Sequence, residues 1–396
     1  MANNGVAEMT TNSADRESLL KSARRVVIKL GTNIVAGSQG DLSSERVRPI
    51  ARSIAHLMRE GRQAVLVSSG AVGLGRGWLG LHPSRLGDLV TKQACAAVGQ
   101  SLLMNAYKEL FSEWDVKVAQ VLLTEDDFTN WRRYSNLRQT MEKLLGFGVL
   151  PIVNENDTVS TAELESTTAS GPRTPIFSDN DRLAALVMSG MEADALVLMT
   201  NVDGLLRRVA GEQGNAQNVI PLVEQITPEL KRLATGPSEN GRGGMRTKLE
   251  AAEIAMNCGG ITVIANGQTP QVLDRVFAGE KIGTAFLPFT RMRGKRRWIA
   301  YAAGVRGRVV VDAGAYRAIT ERKASLLASG IVRVESHFAP MDVVSILDAE
   351  GREFARGIAN CASEDAEQAA RRKKSAGASA SPVLVTRDNI VLLQRL

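Results

Sequence analysis

The chain has 396 residues, 44% of them hydrophobic, enough to bury more than one core, and its length favours two domains or three. Its 49 Lys and Arg against 42 Asp and Glu give a net charge of +7, a modest surplus for this length that suits an anionic ligand without requiring nucleic acid. The scattered cysteines (Cys95, Cys258, Cys361) and histidines (His56, His82, His337) argue against a disulfide framework, a metal site and a Ser-His-Asp triad, and with no run of about 18 apolar residues and no apolar leader the chain reads as cytoplasmic, with no membrane partner.

Residues 1–24 read as a polar tail. From Val26 to about Ile264, short β-branched runs alternate with longer helical patterns, and the runs close on glycine, asparagine or a hydroxyl residue, which predicts an α/β domain with an open, mainly parallel sheet sandwiched by helices. Residues 26–30 precede Gly31-Thr32, and 46–60 form a helical pattern ended by Gly61. Residues 64–67 then precede Ser68-Ser69-Gly70, a longer helix is expected over 91–111, and 118–123 precede Thr124. Next, 149–153 lead to Asn154-Glu155-Asn156-Asp157, 195–199 to Thr200-Asn201, and 261–264 to Asn266-Gly267. In such a sheet the carboxyl ends of the strands share one edge, so motifs this far apart can converge on one ligand.

The stretch 166–175 has loop composition and lies between two polar motifs; a lid and a plain surface insertion are equally open. The cations at 291–297 and 371–374 read as solvated runs. Short strands at 308–311, 330–334, 342–347 and 382–386 predict a small C-terminal β-rich domain beginning near Ala303, with 366–381 as a helix end or loop before its last strand.

Phosphate chemistry is written into two lysines. Lys29 interrupts an otherwise apolar strand, an unfavourable place unless the ammonium is paired or faces a ligand, and Gly31 and Thr32 follow with backbone and hydroxyl donors. Lys248 lies four residues past Gly244 in Gly241-Arg242-Gly243-Gly244-Met245-Arg246-Thr247-Lys248, a glycine turn before a helical pattern running to Cys258, which would aim free N–H groups at an anion. Neither a P-loop nor a protein-kinase motif set is present. Two neighbouring lysines need a carboxylate to hold them; Asp181 is the candidate, with Asp179 the alternative. The cluster Asn154 to Asp157 holds more polar groups than a turn requires and can recognise an amino acid, a carboxylate accepting from its ammonium while amides and hydroxyls donate to its carboxylate. Ser69-Gly70-Ala71 offers a further anion-binding turn, and its continuation through Gly73, Gly75 and Gly77 reads as loop flexibility.

Together, Val27-Ile28-Lys29-Leu30-Gly31-Thr32, Ser68-Ser69-Gly70-Ala71, Lys92-Gln93, Ala96-Ala97-Val98-Gly99-Gln100, Leu122-Leu123-Thr124, Asn154 to Asp157, Asp179-Asn180-Asp181 and Gly243-Gly244-Met245-x-x-Lys248 closely resemble the glutamate 5-kinases of the amino acid kinase superfamily. The resemblance covers roughly residues 25–298 and implies an amino acid kinase domain over 25–300. Residues 304–396 resemble the PUA domain appended to many bacterial members, through 309–314, Ser325-Leu326-Leu327, Gly330-Ile331 and Ala355-Arg356-Gly357. Met341 stands where that domain often has glycine, and an expected aromatic is missing after Gly357, which favours a structural or regulatory role over RNA binding.

What the resemblance implies is ATP- and Mg²⁺-dependent phosphorylation of the side-chain carboxylate of L-glutamate, the first step of proline biosynthesis. Lys29 and Lys248 would stabilise the transferring phosphoryl group and Asp181 would orient both, with Gly31, Gly243 and Gly244 donating N–H groups. Thr200, Asn201, Arg242, Met245, Arg246 and Thr247 would lie by the nucleotide, and Mg²⁺ would be held by phosphates and water, with no protein metal site. Glutamate would sit against Ser69, Gly70, Asp157 and Asn180, with Asn154 and Asn156 nearby. Bacterial members usually carry Asp at the position of Asn201 and Thr at that of Arg242, departures on the nucleotide side. The resemblance also implies a homo-oligomer and, because acyl phosphates are labile, a glutamyl-phosphate reductase as metabolic partner. Competing readings are another amino acid kinase, such as an acetylglutamate kinase or aspartokinase, the kinase half of a bifunctional pyrroline-carboxylate synthase, for which too few residues follow Trp298, and an RNA-binding PUA protein with an inert α/β scaffold.

Overall fold

Hydrogen bonding gathers the apolar runs of the first two-thirds of the chain into one sheet. In the computed structural model, which describes residues 13–37, 41–124, 126–159, 180–207, 218–234, 244–289, 294–302, 304–372 and 382–393, the strands are β1 (Arg25–Leu30), β2 (Gln63–Val67), β3 (Val118–Leu123), β4 (Leu150–Glu155), β5 (Ala195–Thr200), β6 (Leu206–Arg207), β7 (Asn218–Val219), β8 (Leu222–Val223), β9 (Ile261–Asn266) and β10 (Thr284–Phe286). Eight of them form a sheet in the order β3-β4-β2-β1-β5-β9-β10-β8, parallel throughout except for the antiparallel pair β9–β10; β6 and β7 make a separate two-stranded ladder. Each expected strand of this sheet is present, with bounds that agree to within two residues. The chain divides into two units, 1–124 with 139–291 and 125–138 with 292–396.

Strand alternation decides what each face of the sheet does. Val26, Ile28 and Leu30 of β1, Ala64 and Leu66 of β2, and Val197 and Met199 of β5 share one core with residues of the helices Ser44–Arg59, Leu89–Ser112 and Val272–Phe277. Lys29, one residue out of that phase, meets instead the first turn of helix Asn180–Met191, with helix Met245–Asn257 beside it. Central strands buried on both faces read as continuous apolar runs, so a lysine in one of them is conspicuous.

Three local features depart from the sequence reading. From Ser13 the supposed polar tail is the helix Ser13–Ser22, with Leu20 and Ala23 in the core. Its Arg16 guanidinium, 4% exposed, donates to the carbonyls of Pro221 (3.1 Å), Glu280 (3.0 Å) and Ile282 (2.6 Å), beside β8 and β10. The anchoring groups are backbone atoms hundreds of residues away, which no local pattern reveals. Secondly, Gly73, Gly75 and Gly77 are helical, within Ala71–Trp78. A Cβ on Gly75 would lie 1.8 Å from the Cys95 carbonyl oxygen, and one on Gly99 would lie 1.7 Å from that of Ala71. These glycines let helix Ala71–Trp78 lie backbone to backbone against Leu89–Ser112. Thirdly, the C-terminal unit takes in 125–138, where Phe128, Trp131 and Tyr134 surround Trp298; its indole N–H donates to the Phe128 carbonyl at 2.7 Å, and its ring meets Trp131 edge-on at 5.1 Å.

The C-terminal unit contains β11 (Val305–Val311), β12 (Leu326–Leu327), β13 (Ile331–Val334), β14 (Val343–Leu347), β15 (Glu353–Ile358), β16 (Val383–Val385) and β17 (Ile390–Leu392). Five of these form a sheet in the order β13-β11-β14-β15-β17, β12 pairs with β16, and Val309, Val311, Ile346, Phe354 and Leu384 fill the core. Helix Ser363–Arg372 occupies part of the alanine- and lysine-rich stretch. Met341 has φ +74°, the left-handed conformation that glycine adopts without cost, at the position where the resemblance leads one to expect glycine. No helix among the described residues is long and apolar enough to cross a membrane.

Adding a methyl group at Gly75 forces the two helix backbones apart. Gly75→Ala is expected to cost about 1–3 kcal/mol, read as a lower urea midpoint at unchanged m-value.

Candidate active site

Because the strands on either side of β1 are parallel to it, their carboxyl ends bring Gly31, Ser68 to Gly70, Asn154 and Thr200 to one edge of the sheet. At that edge Asp181, fully buried in the first turn of its helix, bridges both lysines. Its Oδ1 lies 2.6 Å from Lys29 Nζ and its Oδ2 2.9 Å from Lys248 Nζ, with Lys29 6% and Lys248 7% exposed. Thr247 adds a hydroxyl donor to the same Oδ2 at 3.2 Å, while lying 2.9 Å from the Gly244 carbonyl. Among the described residues, two ammonium groups and one carboxylate meet at this point.

Burial acts to raise the Asp181 pKa, but the Lys29 and Lys248 charges and hydrogen bonds outweigh it and bring the group from its ordinary 3.8 to about 2. Both carboxylate oxygens are already engaged by lysines, so Asp181 is poorly placed as a metal ligand. Helix Met245–Asn257 begins at Gly244, whose backbone is extended (φ −87°, ψ −176°) and which supplies no side-chain cap, so the first-turn N–H groups depend on a partner from outside the helix.

A second polar group adjoins the first through consecutive residues. Asn180 Nδ2 donates toward the Ser69 hydroxyl (2.8 Å), the Ser68 carbonyl (3.0 Å) and Asn154 Oδ1 (3.2 Å). Asn154 Nδ2 in turn donates to Gln100 Oε1 at 3.0 Å. Ser68 Oγ and the buried Tyr107 hydroxyl lie 2.8 Å apart beneath this group, and desolvation holds the Tyr107 pKa well above the ordinary phenol value. Gly70 has φ +104°, so the turn that presents Ser69 and opens helix Ala71–Trp78 requires a residue without a Cβ.

The sequence candidates therefore fall into distinct places. Lys29, Lys248, Asp181 and Thr247 meet at one point, and Ser69, Asn154 and Asn180 at another. Asn156 donates its N–H to the Leu123 carbonyl (2.8 Å) and accepts from Thr158 (2.5 Å), and Asp157 follows it, half-buried. Thr200, at the end of β5, donates toward Asn201 (3.4 Å) and accepts from the Gly267 N–H (2.8 Å). Met245 is half-buried, while Arg246 turns along the helix surface to Glu250 (3.1 Å). Gly31 corrects an expectation: its N–H is bonded to the Met199 carbonyl at 3.3 Å across β1 and β5, so it is not a free donor for a phosphate. Arg242, Gly243, Asp179 and the stretch 166–175 lie outside the described residues. Gln100 and Tyr107 had no role in the sequence reading, although Gln100 lay within a motif that it singled out; their signal is spatial.

Comparison with known proteins gives concordant findings. A model of the amino acid kinase family matches residues 24–265, and a PUA domain model matches residues 307–377. The chain is 42% identical over 385 residues to a glutamate 5-kinase of Citrifermentans bemidjiense, covering 96% of this chain and 100% of that protein. It is 41% identical over 378 residues to one of Caldanaerobacter subterraneus subsp. tengcongensis (94% and 98% covered) and 45% identical over 357 residues to one of Myxococcus xanthus (89% and 90%).

The folded pKa of Asp181 lies below its unfolded value, so its contribution to stability is complete above about pH 4 and is lost as the pH falls toward 2. Urea midpoints measured from pH 5 down to 2 are expected to fall in the wild type and to fall less steeply in Asp181→Asn.

Proposed function

The chain belongs to the amino acid kinase family, among its glutamate 5-kinases, and from that premise we propose how its residues divide the work. The reaction is ATP-dependent phosphorylation of the side-chain carboxylate of L-glutamate, giving L-glutamyl 5-phosphate and ADP, the first step of proline biosynthesis. A bond forms from a carboxylate oxygen to the γ-phosphorus while the bond from that phosphorus to the β,γ-bridging oxygen breaks. No proton has to be removed, because a glutamate side chain with a pKa near about 4.3 is ionised at neutral pH.

The observation that carries this division is the Asp181 bridge between Lys29 and Lys248. Phosphoryl transfer asks mainly for alignment and for charge on the equatorial and leaving oxygens, and a preorganised pair of ammonium groups supplies that charge without reorganisation. Lys29 and Lys248 take this role and Asp181 orients them, with Gly244 and the opening of its helix, including Met245 and Thr247, cradling phosphate. Mg²⁺ would be held by the nucleotide phosphates and water and would offset phosphate charge. Thr200 and Asn201 are assigned to the nucleotide side, and the family resemblance alone assigns Arg242 and Gly243 there; Arg246 is exposed and paired with Glu250.

Ser69, Gly70, Asn154 and Asn180 form the glutamate side, with Asn156 and Asp157 at the same strand end. Asp157 suits the α-ammonium by charge. We also propose a homo-oligomer, as the family resemblance implies. A reductase that consumes the labile acyl phosphate is the implied metabolic partner.

Incubation with ATP, Mg²⁺, glutamate and hydroxylamine should yield a hydroxamate by trapping the acyl phosphate; none above background would overturn the reading. Lys248→Ala is expected to lower kcat by about 10²–10³ with the unfolding transition retained, and near-normal turnover would remove Lys248 from the phosphoryl site. In Asp157→Ala the glutamate KM should rise while that for ATP holds; an unchanged glutamate KM would exclude Asp157 from contact.

A further inference from the structure

Hydrogen-bond polarity around Asn180 is fixed by chemistry. The Ser68 carbonyl can only accept, so the Asn180 atom 3.0 Å from it is the amide nitrogen. The Asn154 atom facing that nitrogen at 3.2 Å must then be its oxygen, which turns Asn154 Nδ2 toward Gln100. The Gln100 atom 3.0 Å away must in its turn be Oε1. One obligate acceptor thus dictates the orientation of three amides in a row, Asn180, Asn154 and Gln100.

The other end of the row is where this matters. Since Asn180 donates to the Ser69 oxygen at 2.8 Å, the Ser69 hydrogen is left to point elsewhere, as a donor. Asn180 Oδ1 has no partner among the described residues and stands as an acceptor. Donor and acceptor side by side match the α-carboxylate and α-ammonium of an amino acid, and the reversed pair would repel both.

We propose that Gln100 is a positioning residue that supports the polarity set by the Ser68 carbonyl: as the terminal acceptor for Asn154, it lets Asn154 Oδ1 stay turned to Asn180 with its own Nδ2 satisfied, and thereby tunes the pocket for glutamate without touching it. The proposal rests on Ser69 and Asn180 being glutamate contacts. Gln100 is buried on helix Leu89–Ser112, directly after Gly99, at the point where that helix lies against Ala71–Trp78. The close approach of the two helices brings the end of its side chain to Asn154. Without an acceptor there, Asn154 Nδ2 would be left buried and unsatisfied, and the amide would gain by rotating away from Asn180.

Steady-state kinetics of the full chain test this with variants that differ in acceptor capacity at one position. Gln100→Met removes the acceptor at similar volume, Gln100→Lys replaces it with a donor, and Gln100→Glu keeps an acceptor oxygen. Gln100→Met and Gln100→Lys are expected to raise the glutamate KM about tenfold or more, with the ATP KM within about twofold, and Gln100→Glu to retain most of the glutamate affinity. An unchanged glutamate KM in folded Gln100→Met overturns the proposal. So does equal impairment in Gln100→Glu and Gln100→Met, which would mean packing alone. Should Gln100→Met not fold, the comparison of Gln100→Glu with Gln100→Lys decides in the same sense. Ser69→Ala separates the underlying assignment: if it raises the glutamate KM and Gln100→Met does not, only the positioning role falls, whereas an unchanged KM in Ser69→Ala removes the pocket reading itself.

Discussion

Burying two lysine ammonium groups against one another is costly twice over, once in lost hydration and once in repulsion, and the fully buried Asp181 carboxylate offsets both. The three side chains come from β1, from the first turn of helix Asn180–Met191 and from the second turn of helix Met245–Asn257, so the bridge is also a three-way tie between elements far apart in sequence. Such a cluster is poor evidence for stability, because a well-packed apolar substitute often does as well. What the cluster does provide is two ammonium groups held in place by one carboxylate.

The same helix start joins the two halves of the chemistry. Asp181 belongs to the lysines and Asn180, its covalent neighbour, to the polar group formed with Ser69 and Asn154. Adjacent residues in a first helical turn cannot drift apart, so the separation between the lysine cluster and the polar group around Asn180 is set by backbone geometry. An arrangement of this kind suits a reaction in which alignment supplies much of the rate enhancement and no proton needs to move.

Much of this was legible in the chain itself, for identifiable reasons. Lys29 stands out because a charge inside a β-branched run violates burial, and the requirement for a carboxylate between two lysines pointed to Asp181. The parallel sheet followed from runs that end in polar residues. Other features left no local trace. Helix Ala71–Trp78 carries three glycines, which propensity counts against a helix, and only its crossing with Leu89–Ser112 explains Gly75. Strand β15 holds Glu353, Arg356 and Gly357, and β17 has three residues; β15 is a strand because β14 offers it a ladder, and β17 because β15 does. Residues 125–138 joined the C-terminal unit through Trp298, a contact spanning 170 positions. The free N–H imagined for Gly31 is spent on Met199, since a residue leaving a central strand still has a neighbour to pair with.

Arg16 carries a consequence for the order in which the protein can be made. Its guanidinium emerges from the ribosome early, yet the carbonyls that satisfy it lie 205, 264 and 266 residues downstream. At about 5–20 residues per second, synthesis leaves that helix waiting roughly 10–50 seconds for the strands that receive it. The helix can be anchored at the edge made by β8 and β10 only once those strands exist, so a buried charge of the folded protein is satisfied by groups made long after it.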